Sequence, residues 1–187
     1  HLGLSEQLNY GISVANGDFI ARMDGDDISK NERLEKQLLF LTKHPEIDII
    51  GTSYEFIDKN GKSKRTKILH EIHSEISASM PVLTSVCHAS ILARKNVFQL
   101  AQGYNNIAFC EDQDLFLRLI NQGFKFHNMK EVLYLYREPA REKTQKEIEI
   151  LHFNMRKTGL SYIEKNYDTY KKNKNYFFTI GLIEYYH

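Results

Sequence analysis

The sequence predicts an α/β fold built around a mixed sheet. Short apolar runs of strand character alternate with amphipathic segments of helical period along most of the chain. An Asn60-Gly61 pair between two extended segments is typical of a β-hairpin, which adds antiparallel pairing. With 187 residues, of which 42% are hydrophobic, the chain is long enough for one domain with a substantial core.

The first third of the chain predicts two helices around one strand. Apolar residues recur at helical spacing from Leu4 to Ala15, with Ser5 as the expected cap and Gly17 as the stop. A strand is expected over 18–23. The segment 29–32 has the pattern of a capping box, and the helix after it should bury Leu34, Leu38, Leu39 and Leu41 and end near Pro45.

The remaining elements follow from the same period rules. The pattern predicts, in chain order, a strand over 47–57, a hairpin turn at 58–62, a helix over 70–79, a strand over 90–93, a turn at 103–104, a helix over 112–121 closed by Gly123, strands over 124–126 and 132–136, and a charged helix over 141–166. Sheets of this class bind ligands at the carboxyl ends of their strands.

Composition excludes several classes of protein. A formal net charge of +1 argues against a dedicated nucleic-acid binder, which carries a marked basic excess. No apolar run reaches the length of a membrane span. Cys87 and Cys110 lack metal-ligand spacing, predict no disulfide, and suit a reducing, cytoplasmic setting.

An acidic cluster, Asp24-Gly25-Asp26-Asp27, directly follows the strand over 18–23. In an extended segment, Asp24 and Asp26 would point to the same side and could share one ligand. Carboxylate oxygens suit Mg²⁺ or Mn²⁺, which keep waters and take further ligands from substrate phosphates. The alternative is a solvated acidic turn in which Asp27 only complements a helix N-terminus.

A second acidic cluster, Glu111-Asp112-Gln113-Asp114, begins an amphipathic helix. A partly buried carboxylate is a suitable general base for taking a proton from an attacking hydroxyl group. The alternative is a set of acids that only compensates the helix dipole. Asp114 fits this structural role better than that of a ligand.

Together these motifs closely resemble glycosyltransferase family 2, the inverting GT-A enzymes, and in particular the bacterial members that build surface polysaccharides. The resemblance covers residues 3 to about 138 and includes Gly3-Leu4-Ser5, Leu8-Asn9, Gly17-Asp18-Phe19-Ile20-Ala21-Arg22-Met23-Asp24-Gly25-Asp26-Asp27 and Arg33-Leu34-Glu35-Lys36-Gln37. It implies a GT-A fold (nucleotide-diphospho-sugar transferase, Rossmann-like), with 1–138 as the C-terminal portion of the catalytic domain and 139–187 as a helical extension.

The resemblance also implies roles for individual residues. Asp24 would help to hold the nucleotide sugar, expected to be a UDP-sugar, and Asp26 would bind Mn²⁺ or Mg²⁺ together with Asp24. Asp112 matches the family's catalytic base. Glu111, His88 and Tyr104 match segments near the acceptor, a glycan or a lipid-linked sugar, and Arg137 matches the end of the core, where it would face phosphate or be an ordinary surface residue.

Family members begin with a strand and a loop that hold the base of the nucleotide, followed by another βα unit. This chain starts after both, at a point matching the helix before the strand that leads to Asp24. The sequence therefore predicts an N-terminally truncated domain that lacks part of the donor pocket and has weak or no activity alone. Two other functions stay open: an inactive remnant or binding module, and a glycoside hydrolase that uses two carboxylates.

The resemblance and composition suggest a location in the cytoplasm, at the inner face of the membrane. For residues 141–187, contact with the acceptor, the membrane surface or a second subunit, and packing on the core, all remain open. The apolar segment 176–186 fits an interfacial helix weakly.

Overall fold

The computed structural model describes residues 3–168. Over that range the chain forms, in order, α1 (Leu4–Val14), β1 (Phe19–Ala21), β2 (Ile28–Ser29), α2 (Arg33–Lys43), β3 (Ile49–Ile57), β4 (Ser63–Lys67), α3 (His73–Ser79), a 3₁₀ turn (His88–Ser90), β5 (Leu92–Arg94), α4 (Lys95–Leu100), α5 (Glu111–Asn121), β6 (Phe126–Arg137) and α6 (Gln145–Lys165). The segment 176–186, for which an interfacial helix was considered, lies outside the described residues.

The described strands form one mixed sheet in the order β1-β5-β3-β6-β2, with β4 also paired to β3. β3 and β6 are parallel and form the longest pairing, while the other pairs are antiparallel. This arrangement confirms the predicted mixed sheet. Because β1 and β2 stand at opposite ends of the order, residues 22–27 between them must cross the three strands that separate them.

The main core lies between this sheet and helices α3, α4, α5 and α6, with Phe116 and Phe126 fully buried near its centre. Helix α6 joins this core through Tyr162 and Ile163. At Gly159 the helix approaches another backbone so closely that a Cβ atom would lie 2.0 Å from the carbonyl oxygen of Pro81. The C-terminal helix therefore packs on the core, whereas a domain boundary at 138/139 stays a prediction.

The prediction for the buried face of α2 was correct for Leu41 and wrong for the other three leucines. Leu34, Leu38 and Leu39 are substantially exposed, and Leu39 keeps 52% of its surface. The helix instead turns Arg33, Gln37 and Leu41 toward the sheet, spaced four residues apart on one stripe. The side-chain Nε2 of Gln37 donates to the carbonyl oxygens of Ile50 (3.0 Å) and Ser90 (2.9 Å), whereas its Oε1 has no hydrogen-bond partner among residues 3–168.

Two predicted helix caps are also wrong. Ser29 lies in β2, and α2 starts after Glu32 without a side-chain cap bond. Ser5 lies inside α1, where its Oγ donates to the carbonyl oxygen of Asn105 (3.1 Å). A capping box does form at Thr144, where the hydroxyl accepts from the Glu147 amide at the start of α6.

The turns were predicted more accurately. β3 and β4 form the expected hairpin, but only Gly61 has a positive φ (82°), so the turn differs from the two-residue type that needs two such angles. Gly123 ends α5 with φ 88°, as predicted. β6 is a single strand rather than two, and α4 was not predicted.

Among residues 3–168, no helix has the length and apolar character to cross a bilayer.

Candidate active site

The first acidic cluster forms a tight turn. The amide of Asp27 donates to the carbonyl oxygen of Asp24 (3.3 Å), so the expectation of an extended segment is corrected to a turn between β1 and β2. Asp26 is exposed, and within residues 3–168 its carboxylate makes no hydrogen bond or ion pair. Asp24 is also partly open to solvent. Two carboxylates of the turn are thus accessible to a ligand.

Asp27 fixes this turn to β6. The hydroxyl of Tyr134 donates to Asp27 Oδ2 (2.7 Å), and the backbone amide of Arg137 donates to Oδ1 (2.7 Å). The amide of Asp24 in turn donates to the hydroxyl of Tyr134 (3.1 Å). Burial raises the pKa of Asp27, while the bonds from Arg137 and Tyr134 oppose the rise. Asp27 is therefore a structural anchor of the turn.

The guanidinium group of Arg137 is engaged by backbone groups. Nε donates to the carbonyl oxygen of Asp26 (2.7 Å), and Nη1 donates to the carbonyl oxygen of Asp58 (2.6 Å) in the β3–β4 turn. Arg137 thus joins the acidic turn to the neighbouring hairpin. Its predicted contact with phosphate stays a prediction.

Arg22 is a site residue that the sequence reasoning missed. Its guanidinium pairs with the carboxylate of Asp24 through two bonds, of 2.6 and 3.2 Å. The side chain is 11% exposed, and its buried Nε has no hydrogen-bond partner among the described residues. The sequence contained a signal for this pair. Arg22 precedes Asp24 by two residues just after a strand, and in extended backbone such residues point to the same side.

A second arginine, Arg33, holds the backbone of Arg22. Arg33 is 2% exposed, and its guanidinium donates to the carbonyl oxygen of Arg22 through Nη1 (3.2 Å) and Nη2 (3.3 Å). Its Nε donates to Ser29 Oγ (2.8 Å), and the group lies 5.3 Å from the ring centroid of Tyr134. Arg33 therefore holds the chain at the exit of β1 in place.

Asp112 lies in the first turn of α5, where the Gln113 amide donates to its Oδ1 (2.7 Å). Burial raises the pKa of Asp112 to about 6, and the adjacent Glu111 carboxylate adds to the rise. The Gln113 amide and the positive charge of Arg22 act in the opposite direction. A carboxylate with this pKa is ionised at neutral pH and is more basic than an ordinary aspartate.

The structure brings His88 and Tyr104 together. His88 Nε2 and the hydroxyl of Tyr104 are 2.8 Å apart, and both side chains are buried. Burial holds the pKa of His88 well below its usual value, and burial raises the pKa of Tyr104. The side chain of Asn9 fixes the backbone of Tyr104 with two further bonds, of 2.7 and 2.9 Å.

One mostly buried cation, Arg22, acts electrostatically on residues of both acidic clusters. Arg22 binds Asp24 directly, and its charge also lowers the pKa of both Asp112 and His88. Within residues 3–168, no three His, Cys, Asp or Glu side chains gather closely enough to hold a metal ion by themselves. Asp24 and Asp26 supply the oxygen ligands that Mg²⁺ or Mn²⁺ prefer, and such ions take their remaining ligands from water and phosphate oxygens.

Comparison with known proteins gives a consistent result. The profile of Glycosyl transferase family 2 matches residues 1–101. The chain is 38% identical over 140 residues to the putative glycosyltransferase EpsE of Bacillus subtilis, covering 73% of this chain and 49% of EpsE. It is 32% identical over 136 residues to the O-antigen biosynthesis glycosyltransferase WbnJ of Escherichia coli, covering 72% and 53%. The chain spans about half the length of the curated relatives it matches.

Solved structures show the same fold. Residues 1–349 of TarS from S. aureus, in complex with UDP, superpose with a TM-score of 0.60 at 13% identity, covering 89% of this chain and 52% of that fragment. The mannosyltransferase PcManGT from Pyrobaculum calidifontis, in complex with GDP-Man and Mn²⁺, gives 0.54 at 10% identity, covering 90% and 55%. These likenesses confirm the predicted GT-A type of mixed sheet with flanking helices.

Proposed function

The chain belongs to glycosyltransferase family 2, and on that premise we propose that it transfers a sugar, with inversion, from a nucleotide-sugar donor to a glycan or lipid-linked acceptor in cell-surface polysaccharide synthesis. One observation carries the proposal: the positive charge of Arg22 pairs with Asp24 of the acidic turn and also acts on the half-buried, basic Asp112. A transferase of this kind needs a cation site for the donor beside a base for the acceptor.

Asp24 and Asp26 are proposed to hold Mn²⁺ or Mg²⁺ with the diphosphate of the donor. The exposed carboxylate of Asp26 is free to bind at once, whereas Asp24 must first loosen its pair with Arg22. A divalent ion bound there would stabilise the negative charge that develops on the departing nucleoside diphosphate. PcManGT contains Mn²⁺ with GDP-Man, and TarS binds UDP, so a UDP-sugar donor and Mn²⁺ are the first choices to test.

Asp112 is proposed as the general base. Inversion requires the acceptor hydroxyl to attack the anomeric carbon directly while a base accepts its proton. With its pKa raised to about 6, Asp112 is mostly ionised at pH 7 and still basic enough to accept that proton. Burial supplies this tuning, and Arg22 limits it so that the carboxylate stays charged.

The acceptor is proposed to lie against the N-terminal turn of α5. Glu111 is partly exposed beside Asp112 and can accept hydrogen bonds from acceptor hydroxyls. His88 and Tyr104 are buried and bonded to each other, so they are proposed to shape the wall of this side rather than to exchange protons. Both cysteines are free and buried, which suits the proposed cytoplasmic location.

A donor panel tests this function. UDP- and GDP-sugars with Mn²⁺ are incubated with the chain, and nucleoside diphosphate release is measured. Because the chain spans about half the length of its relatives, the same assay is run on the gene product with any residues encoded upstream of His1. Release that depends on the donor and is abolished in Asp26→Ala supports a transferase. Cleavage of glycosides without a nucleotide donor, or no activity in either protein, contradicts it.

A further inference from the structure

The β3–β4 hairpin carries a dense positive charge. Residues 59–68 are all exposed, and they include five basic side chains and no acidic one: Lys59, Lys62, Lys64, Arg65 and Lys67. One fifth of the 25 lysines and arginines thus lies in a single stretch of a chain whose net charge is only +1. We call residues 59–68 the basic hairpin.

Nearby acids neutralise only part of this charge. Lys64 pairs with Glu138, and the guanidinium of Arg65 stacks on Phe56, 3.8 Å from the ring centroid. Asp58 uses Oδ1 to accept the amides of Asn60 (2.8 Å) and Lys62 (2.9 Å), which fixes the turn. Across the described residues, the side chains of Lys59, Lys62 and Lys67 form no ion pair.

Two exposed apolar side chains lie at the end of the basic hairpin and just after it in the chain. Ile68 directly follows β4 and is 57% exposed, and Ile72 is 50% exposed four residues later. Cations beside isolated apolar side chains are the chemistry that binds an anionic lipid surface, where the charges meet headgroups and the apolar groups enter the interface. β4 also pairs only with β3 among the described strands, so its outer edge faces away from the sheet.

The basic hairpin is joined to the acidic turn. Arg137 bonds to the carbonyl oxygens of both Asp26 and Asp58, so the start of the hairpin and the proposed cation site share one side chain. A surface bound by the hairpin would therefore lie beside the site. Such a position would bring a lipid-linked acceptor within reach of Asp112, and this consequence alone rests on the proposed function.

We propose that the basic hairpin docks the protein onto an anionic phospholipid bilayer. Charge complementarity is the main attraction, with Ile68 entering the headgroup region. Each Lys or Arg near an anionic surface strengthens binding by roughly five-fold at low salt. Three lysines without ion pairs would together contribute on the order of a hundredfold, and added salt would weaken the binding.

Vesicle sedimentation tests this proposal with the 187-residue chain. Binding is measured to phosphatidylcholine vesicles and to vesicles containing about one third phosphatidylglycerol, a content that gives a strongly negative surface. The test variant is Lys59→Gln/Lys62→Gln/Lys67→Gln. The matched control, Lys43→Gln/Lys146→Gln/Lys157→Gln, removes the same charge from exposed positions on α2 and α6. Urea denaturation checks that both variants fold as the wild type does.

The expected result is salt-sensitive binding to anionic but not neutral vesicles, lost by at least about tenfold in the hairpin variant and retained in the control. Equal loss in both variants would mean that net charge alone drives binding, and would overturn the proposal. Full retention of binding in the hairpin variant would also overturn the proposal, since another segment such as 176–186 would then be responsible for membrane binding. No binding by the wild type would also overturn the proposal. The lysines would then serve to prevent another chain from pairing with the open edge of β4. Because the assay needs no donor, its outcome is independent of the test for transfer.

Discussion

The hydroxyl of Tyr134 donates to Asp27 Oδ2 at 2.7 Å and accepts the backbone amide of Asp24 at 3.1 Å. One side chain of β6 thus bonds to both ends of the acidic turn. Because Asp24 and Asp26 lie inside that turn, their positions depend on a hydroxyl group that never needs to touch the ligand.

Tyr134→Phe should loosen the acidic turn while leaving the sheet intact. The variant loses two hydrogen bonds and leaves the buried Asp27 with one partner, so we expect a loss of about 1–3 kcal/mol in the free energy of unfolding. Mn²⁺ affinity should also fall several-fold. Urea denaturation and Mn²⁺ titration measure the two effects. Tyr10→Phe, at a largely exposed position on α1, is the control and should change neither.

Asp112→Asn should abolish the proton transfer without disturbing the fold. Removing a general base lowers turnover by about 10²–10⁴-fold. Donor binding should be unchanged, because Asp112 does not belong to the acidic turn. Single-turnover kinetics separate the two. A variant that binds the donor poorly but reacts at the normal rate would assign Asp112 to the donor side instead.

The same variant should gain stability at high pH. The folded pKa of Asp112, about 6, is above the unfolded value of 3.8, so the contribution of this group to stability falls as pH rises from about 4 to 6. From pH 4 to pH 8, the unfolding free energy of Asp112→Asn relative to the wild type should therefore improve by up to about 3 kcal/mol. Asp114→Asn, which breaks an ion pair with Arg118, should show no such gain.

Arg22→Gln should change both halves of the site. Loss of the positive charge raises the pKa of Asp112, so the acidic limb of the kcat/KM profile should move to higher pH. Asp24 loses its partner, and Mn²⁺ should bind about two- to five-fold more tightly, as expected for the loss of one partly exposed ion pair. Arg22→Lys keeps the charge and should shift the profile less. An unchanged pH profile in Arg22→Gln would mean that Arg22 does not act on Asp112, and would contradict the link between the two acidic clusters.

Gly159→Ala tests the packing of α6. A methyl group would lie 2.0 Å from the carbonyl oxygen of Pro81, so the helix must shift, at a cost of about 1–3 kcal/mol. Gly11→Ala is the matched control, since a Cβ atom there meets nothing within 4 Å inside α1. That variant should be neutral or more stable by about 0.5–1 kcal/mol. Thermal or urea unfolding measures the stability of both variants. Equal stability of Gly159→Ala and Gly11→Ala would contradict the close packing of α6 against Pro81.

Element order and the mixed sheet were predictable because period and turn residues act locally. Gly123 and Asn60-Gly61 gave the end of α5 and the hairpin correctly. The burial of α2 was not predictable in this way, since most of its leucines are exposed and its buried stripe holds Arg33 and Gln37 beside Leu41. A buried arginine is stable only where carbonyl groups are arranged around it, and that arrangement comes from β1 and β2.

The candidate site was likewise predictable only in part. Asp24, Asp26 and Asp112 were predicted from motifs. The structure leaves Asp24 and Asp26 open to solvent and raises the pKa of Asp112, while the roles themselves stay proposals. The pairing of His88 with Tyr104 and the electrostatic effect of Arg22 on Asp112 both join distant segments, and no local pattern encodes either. Arg22 could have been found only by applying the strand period to Asp24.

The Mn²⁺ dependence of nucleoside diphosphate release in Asp26→Asn tests the central claim most directly. Asn keeps the shape of the side chain and removes its charge, so the fold and the Asp27 anchor should remain. The account predicts a loss of about 10²-fold or more at saturating donor, with a higher Mn²⁺ concentration needed for half-maximal release. Release that is as fast as in the wild type, with the same response to Mn²⁺, would show that the acidic turn does not serve the donor and would contradict the account.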